Sequence, residues 1–467
     1  MDELSAIARI VGGRLISSGG GGARGAAGVS IDTRMISEGD LFFAIRGERL
    51  DGHAFLGEAA RRGACGAVVS RLPGGPAAPL ALIVVGDTVE ALQALAAHHR
   101  RSFPARVIAV TGSCGKTTTR EMIGRIAGEG SSVVISKGNE NNHLGLPLTL
   151  MRMTAGTRLV VAELGCNHAG EIELLTRIAD PDVGLVTCVE PTHTQFLGDI
   201  EGVARAKAEL FSTMKPDSTA VVNLDDPRIV AMALRSRRKV TYGAGPETGA
   251  RADVALEEVA QQGDGALQRV RLRVGARVIN VRLRLLGRHN ALNAAAAAAA
   301  AHAAGLEPGR IAEGLEKTDA MRGRGAVRRG RRFTLVDESY NASPAAVAAA
   351  LRSLSDLAGA RRRRVAILGD MMELGQDSPL YHRRAGAEAA GRAELLIAVG
   401  GFREDLASGA LEAGMAPQKV ACFPEARRAR DAIAAGGLLE DGDVILVKGS
   451  RAVRMEIIVE GITEMEA

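Results

Sequence analysis

Short, nearly continuous apolar runs recur along this chain, separated by longer stretches of helix-forming residues. "ACGAVVS" from Ala64, "LALIVVGD" from Leu80, "ARVIAVTG" from Ala105, "TRLVVAELG" from Thr157, "VGLVTCV" from Val183 and "STAVVNLDD" from Ser218 are of the first kind. A strand with one face in water alternates apolar and polar residues. A run that is apolar throughout suits a parallel strand covered on both faces. Such strands alternating with helices predict the α/β class. "RRFTLVDESYNASP", "RRVAILGDMMELG", "ELLIAVGG" and "DVILVKGS" carry the pattern towards the C-terminus. Residues 294–301 are consecutive alanines. Alanine is the best helix former, so this stretch predicts a buried helix lying close on a sheet.

The chain has 467 residues, about three domains at roughly 150 residues each. The expected segments are 1–86, 87–317 and 318–467. The first carries a glycine-rich loop, "SSGGGGARGAAG", at 17–28. With 59 basic and 54 acidic residues the net charge is only +5, a mixed-sign surface that gives no argument for nucleic acid. The densest basic run, Arg361 to Arg364, reads as a solvated helix end before a strand. Five cysteines without a CxxC pair suit a reducing compartment and no zinc site. The N-terminus starts acidic and lacks the order of a signal peptide. No apolar run reaches the roughly 18 residues of a membrane span. A cytoplasmic protein without membrane insertion is the expectation.

Chemistry concentrates first in "VTGSCGKTTT", from Val110 to Thr119. The common phosphate loop is G-x-x-x-x-G-K-[ST]. That form puts its first glycine at Val110, whereas this chain has Gly112. A strand-like run still feeds the loop and a helical stretch still leaves it, the context a phosphate cradle needs. Gly112 and Gly115 let the backbone around Ser113 and Cys114 curl with its N–H groups inward. The helix N-terminus at Thr117 and Thr118 adds donors and partial positive charge. Lys116 can reach the terminal phosphates, and the Thr117 hydroxyl can face Mg²⁺. Alone, the loop says nucleotide phosphate and leaves kinase, ATPase and ligase open.

Further candidates are weaker one by one. Glu163 stands just after a strand, either to hold Mg²⁺ or as an ordinary surface carboxylate. His193 follows another strand, and Lys207 lies on the next helix, where a lysine is commonly solvated. Asn290 and Asn293 are three apart on one helix face. Their amides can read an adenine edge, though capping explains Asn290 equally well.

In order, T-G-x-x-G-K-T-T, E-x-G, H, A-K-x-E, G-x-H-N-x-x-N, G-R and V-D-x-S-Y-N-x-x-P resemble the Mur ligase superfamily over essentially the whole chain. The displaced first glycine is that superfamily's own loop form. "KGNENNHLGLPLTLM", "VDESYNASP", "AILGDMMELG" and "SIDTR…GDLFFAIRGERLDGHAF" resemble its branch that adds D-alanyl-D-alanine to UDP-N-acetylmuramoyl-tripeptide. The resemblance implies three α/β domains: a UDP-binding domain, a central P-loop domain with a mostly parallel sheet, and a Rossmann-like C-terminal domain. It implies a monomer using ATP and two Mg²⁺ ions, with an acyl-phosphate intermediate. It assigns Lys116 and its loop to the ATP phosphates, Thr117, Glu163 and His193 to the metal, and Lys207 to a carbamylated lysine. Asn290 and Asn293 fall on the adenine side. Arg324 reaches the phosphates, Asp337 lies near the ribose, and Tyr340 and Asn341 lie beside it. Ser30, Thr33 and Arg34 fall in the uridine-nucleotide region, and Asn141 and Asn142 on the path of the muramoyl peptide. His143, Glu338 and Ser343 depart from the residues usual at their positions. A regulatory P-loop NTPase that performs no ligation is the alternative from another class.

Overall fold

A computed structural model describes residues 2–16, 25–73, 80–128, 130, 132–262 and 267–466. The first eight residues of the glycine-rich stretch 17–28 lie outside them. The chain builds three sheets in sequence order. The first contains β1 (Arg14–Ile16), β2 (Val29–Ser30), β3 (Leu41–Phe43), β4 (Gly66–Val69) and β5 (Ala81–Val84), in the order β1-β5-β4-β3-β2. Only β1 runs antiparallel to its neighbour.

The second sheet contains β6 (Arg106–Thr111), β7 (Val133–Ile135), β8 (Leu159–Glu163), β9 (Val183–Val186), β10 (Thr219–Asn223), β11 (Arg238–Gly243), β12 (Val254–Gln262), β13 (Leu267–Val274) and β14 (Arg277–Leu283). Their order is β14-β13-β12-β11-β10-β9-β6-β8-β7. The strands from β7 to β12 pair in parallel, and β12, β13 and β14 form an antiparallel extension. The β13 run "LQRVRLRV" buries Gln268, Val270, Leu272 and Val274 and exposes Arg269 and Arg271. It alternates because one face is in water, so it does not belong to the continuous apolar runs. Chain order reverses at β6, which sits between β8 and β9. In open α/β sheets such a switch point opens a crevice at the carboxyl ends of the strands.

The third sheet contains β15 (Ala326–Arg329), β16 (Thr334–Glu338), β17 (Arg364–Gly369), β18 (Leu395–Val399), β19 (Val420–Phe423) and β20 (Val444–Lys448), in the order β15-β16-β20-β17-β18-β19. Again only the edge strand β15 is antiparallel. The fold is thus mixed α/β with three mostly parallel sheets.

Ala294–Ala301 lie in the helix Arg288–Ala303, and every one is buried. They share a core with Met122, Ile123 and Ile126 of the helix Lys116–Ala127, and with Tyr242, Val254 and Leu272 of the sheet. Methyl side chains let this helix sit close to the strands, so its N-terminus, with Asn290 and Asn293, reaches the crevice at β6. Arg361 to Arg364 are less solvated than their composition predicts. Arg362 donates to the Ala358 carbonyl at the end of a helix and to Leu357 O, Arg363 pairs with Asp443, and Arg364 pairs with Glu394. Only Arg361 is exposed. Carboxylates and open helix-end carbonyls around the run supply partners that the local sequence does not reveal.

Candidate active site

The chain leaves β6 at Thr111 and turns through Gly112 to Gly115 into the helix Lys116–Ala127. Gly112 has φ +140° and Gly115 φ +79°. A Cβ on Gly112 would lie 2.0 Å from Thr187 Oγ1, and one on Gly115 would lie 2.4 Å from Asn293 Oδ1. Both positions need glycine for the turn and for the close approach. The loop is tied to the segment after β9. Ser113 N donates to Cys188 O at 2.9 Å, Ser113 Oγ donates to Glu190 O at 2.9 Å, and Thr187 Oγ1 donates to Cys114 O at 2.5 Å.

Lys116 Nζ donates to Gly112 O at 2.6 Å and to Ser113 O at 3.3 Å. Burial pushes this ammonium below the ordinary lysine range. The positive charge of Lys207 adds to the effect, and Glu163 opposes it. An anion placed between two such cations relieves their repulsion, which is what a phosphate does. Lys207, on the helix Ile200–Thr213, is 1% exposed and donates to Cys166 Sγ at 2.9 Å. It is no surface lysine.

Glu163 closes β8 and is 2% exposed. It accepts from Asn141 Nδ2 at 2.9 Å and from Arg120 Nη1 at 3.0 Å. Arg120, one turn into the loop helix and also buried, donates to Gly138 O at 3.2 Å and to Glu121 at 2.5 Å. His193 has φ +55° at the start of the short helix Thr194–Leu197. Its Nδ1 bonds Glu373 from the third-sheet region, and Gln195 N donates to Glu373 O at 3.2 Å. Burial lowers the basicity of His193, Glu373 opposes this, and Lys116 and Lys207 lower it further. A neutral ring donating from Nδ1 to Glu373 leaves Nε2 as an acceptor.

Two helix-borne asparagines brace the loop. Asn293 Oδ1 packs on Gly115, and Asn293 Nδ2 donates to Asn290 Oδ1 at 3.2 Å. Asn290 Nδ2 donates to Leu286 O at 2.7 Å, so its amide is committed inside the protein. From the third-sheet region, the Arg324 guanidinium lies 4.1 Å from the Tyr340 ring centre, a cation–π contact. Lys448 Nζ donates to Glu338 Oε2 and to Asn341 O, both at 3.0 Å. Burial pushes the Glu338 carboxyl up, but Lys448, His289 and Arg324 together outweigh it and hold the group below the ordinary range. Cys114 Sγ lies 3.2 Å from Ser343 Oγ, so Ser343 touches the loop directly.

These groups border one cleft of about 930 Å³, at the crevice where chain order reverses. Ser113 to Thr118, Asn141, Asn142, Glu163, His193, Asn290, Asn293, Arg324, Tyr340 and Asn341 all line it. Gly112 and Lys207 lie behind its wall, Lys207 through Cys166. Asn142 borders the cleft while its Oδ1 accepts from Leu144 N and Gly145 N. Asp337 does not line it: 1% exposed, it accepts from Gly323 N, Ser339 N and Ser339 Oγ and so shapes the turn before Arg324. Ser30, Thr33 and Arg34 stand apart on the first sheet's region. Ser30 Oγ donates to Asp32 O at 2.8 Å, and the exposed Arg34 pairs with Asp32. Among the described residues no three His, Cys, Asp or Glu side chains form a complete metal cage. The donors present, Thr117 hydroxyl and Glu163 carboxylate beside the Gly112–Lys116 loop, are hard oxygens of the kind Mg²⁺ takes.

Comparison with known proteins matches three family models in chain order. Residues 26–100 match the Mur ligase family catalytic domain, 110–301 the Mur ligase middle domain and 323–451 the Mur ligase glutamate ligase domain. The UDP-N-acetylmuramoyl-tripeptide–D-alanyl-D-alanine ligase of Bacillus subtilis is 34% identical over 440 residues, 94% of this chain and 93% of that protein. The chain belongs to the Mur ligase family. Among solved Mur ligase structures, MurF from Acinetobacter baumannii superposes with a TM-score of 0.88 at 28% identity, covering 99% of this chain and 98% of that one. MurF from Thermotoga maritima in complex with ADP superposes with a TM-score of 0.80 at 27% identity, covering 93% and 97%.

Three further residues of this Mur ligase's cleft, Cys188, Glu373 and Lys448, escape a reading of the sequence, as does Arg120, buried behind Glu163. Glu373 lies in the recognised stretch "AILGDMMELG", which carried no assigned role. Arg120 shows only as a charge on a helix whose neighbours Met122 and Ile123 are apolar. Cys188 follows β9 and Lys448 ends β20, the usual position for site residues in this fold class, and that was their one signal.

Proposed function

We propose that this chain is an ATP-dependent amide ligase that adds D-alanyl-D-alanine to UDP-N-acetylmuramoyl-tripeptide in peptidoglycan precursor synthesis. The observation that carries the reading is one cleft onto which a phosphate loop on the middle sheet and the Arg324–Tyr340–Asn341 turn on the third sheet both open. The family membership gives that cleft its chemistry.

A carboxylate is a poor electrophile, and amide formation in water is uphill. Phosphorylation of the tripeptide's terminal carboxylate by the γ-phosphate of ATP gives an acyl phosphate and ADP. The amine of D-alanyl-D-alanine then attacks the acyl carbon, and phosphate leaves. The protein's task is to align three charged substrates and neutralise their crowded charge. The loop amides and Lys116 hold the phosphates, and Arg324 brings a second cation from the third-sheet region. Segments 1–86, 87–317 and 318–467 take the UDP handle, the ATP and the dipeptide respectively, and Ser30, Thr33 and Arg34 serve the first of these. Thr117 and Glu163, with His193 at the edge, would hold Mg²⁺, two ions in all, which offsets phosphate charge when bound. We place the enzyme in the cytoplasm, acting as a monomer. No described helix is long and apolar enough to cross a membrane.

Lys207 is carbamylated in this reading. A buried ammonium beside Lys116 is repelled, and nitrogen suits hard Mg²⁺ poorly. Uptake of CO₂ makes an anion with two oxygens on the same long arm. Lys207→Ala is expected to be nearly inactive, with activity partly restored by short carboxylic acids. Normal turnover in that variant removes the assignment. The function itself is tested by phosphate release, expected only when the muramoyl tripeptide and D-alanyl-D-alanine are both present with ATP. Release that ignores both substrates would make the chain a P-loop NTPase of another kind.

A further inference from the structure

Cys114 sits inside the phosphate loop, Cys188 follows β9, and the fold sets them against each other. Cys114 N donates to Cys188 Sγ at 3.3 Å, and Cys188 Sγ donates to Cys114 O at 3.6 Å. Ser113 N bonds Cys188 O at 2.9 Å. The two backbones therefore run side by side here, with the Cys188 sulfur against the Cys114 backbone, the proximity a cross-link between them requires. Both residues carry free thiols, both are half-buried and both border the cleft. On its other side Cys114 Sγ touches Ser343 Oγ of the third-sheet region at 3.2 Å.

We propose that Cys114 and Cys188 form a reversible disulfide in the nucleotide-free enzyme, and that this disulfide and bound nucleotide exclude one another. The proposal rests on reading this loop as the ATP phosphate site. The two sulfurs have unequal surroundings, which divides their roles. Cys188 donates to Cys114, and the Ser343 hydroxyl, Lys116 and Lys448 add to this, so the Cys114 thiol is held below its ordinary range against the effect of burial. The same pairing and burial push Cys188 up. Cys114 is thus the attacking thiolate and Cys188 the resolving thiol.

The chemistry balances with a small organic disulfide, RSSR, as oxidant. Cys114 thiolate attacks one sulfur, the S–S bond breaks, and RS⁻ leaves and takes up a proton. Cys188 sulfur then attacks the Cys114 sulfur of the mixed disulfide, loses its proton and displaces the second RSH. Two thiols are oxidised and one disulfide is reduced to two thiols. Exclusion has two physical sources. A thiolate in the cradle repels the phosphates, so nucleotide quiets Cys114. The cross-link draws Cys114 Sγ off Ser343 and pins the loop to the segment after β9, so the loop can no longer settle around phosphate.

The experiment treats the full-length chain with 2-hydroxyethyl disulfide, with and without ADP, and maps tryptic peptides by mass spectrometry. The expected product links residues 107–116 to residues 178–205, and ADP suppresses it. Calorimetric titration of the cross-linked chain should show ADP affinity weakened about tenfold or more, and dithiothreitol should restore it. In Cys188→Ala the linked peptides are replaced by a mixed disulfide on Cys114. Absence of linked peptides under conditions that modify Cys422 overturns the proposal, as does unchanged ADP affinity in the cross-linked chain. Failure of the reduced chain to bind ADP is a different result: it overturns the reading of the loop itself.

Discussion

Replacing Arg120 by methionine isolates what holds the buried Glu163 carboxylate in place. Arg120 and Glu163 are 1% and 2% exposed, and the guanidinium meets the carboxylate at 3.0 Å. Methionine keeps a long unbranched side chain on the helix, so packing loss is small and the lost charge dominates. Glu163 is left with one donor, Asn141 Nδ2 at 2.9 Å. Stranding one member of a buried pair costs about 3–5 kcal/mol. Glu163→Gln leaves Arg120 with Gly138 O and Glu121 as partners, so that variant should cost less, about 1–3 kcal/mol. The double variant leaves neither member of this pair without its partner and should lie well below the sum, with a coupling of about 2 kcal/mol or more. A chain of three packed regions does not unfold in one step, and this one has no tryptophan. Native-state hydrogen exchange of β6 and β8 amides, in nucleotide-free and magnesium-free buffer, reads the middle region alone. A cost below about 1 kcal/mol for Arg120→Met, or additivity of the two changes within about 0.5 kcal/mol, would refute the reasoning.

Lys116→Ala should lower turnover by about 10²–10³ or more, because no neighbour duplicates its charge at the phosphates, while circular dichroism stays unchanged; wild-type-like rates would remove the loop assignment. Arg324→Ala should lower kcat more than it weakens UDP-substrate binding, since its contact forms mainly in the transition state; collapse of UDP-tripeptide affinity with kcat intact would place Arg324 in another site. Glu373→Ala removes the third-sheet region's hold on His193 and should lower kcat about tenfold, an effect limited by the solvent screening of a half-exposed carboxylate, whereas Glu373→Gln keeps an acceptor and should lose less. Equal losses in the two Glu373 variants would argue against orientation of the ring through that bond.

The predictions separate what is local from what is assembled. The strand–turn–helix at Gly112 to Lys116 was legible in the sequence because strand, glycines, lysine and helix are contiguous, and their geometry follows from backbone sterics within ten residues. The parallel-sheet class was legible for a similar reason: burial on both faces leaves continuous apolar runs such as "RVIAV" and "LVVAE". The alanine helix was legible because so many small side chains in a row suit only a close-packed helix. Where burial is one-sided, as in β13, a different period carries the signal.

Tertiary structure alone decided the partners. The fold took Glu163 off the surface and set Arg120 and Asn141 on its two oxygens. Lys207 changed from a candidate surface lysine to a buried side chain facing Cys166, because the helix that carries it packs with that face inward. Glu373 reaches His193 across 180 residues of sequence, and Cys188 reaches Cys114 only because β9 lies beside β6. Periodicity reports which face of an element is buried. It carries no information on which distant element covers that face, and charge pairing depends on that long-range choice.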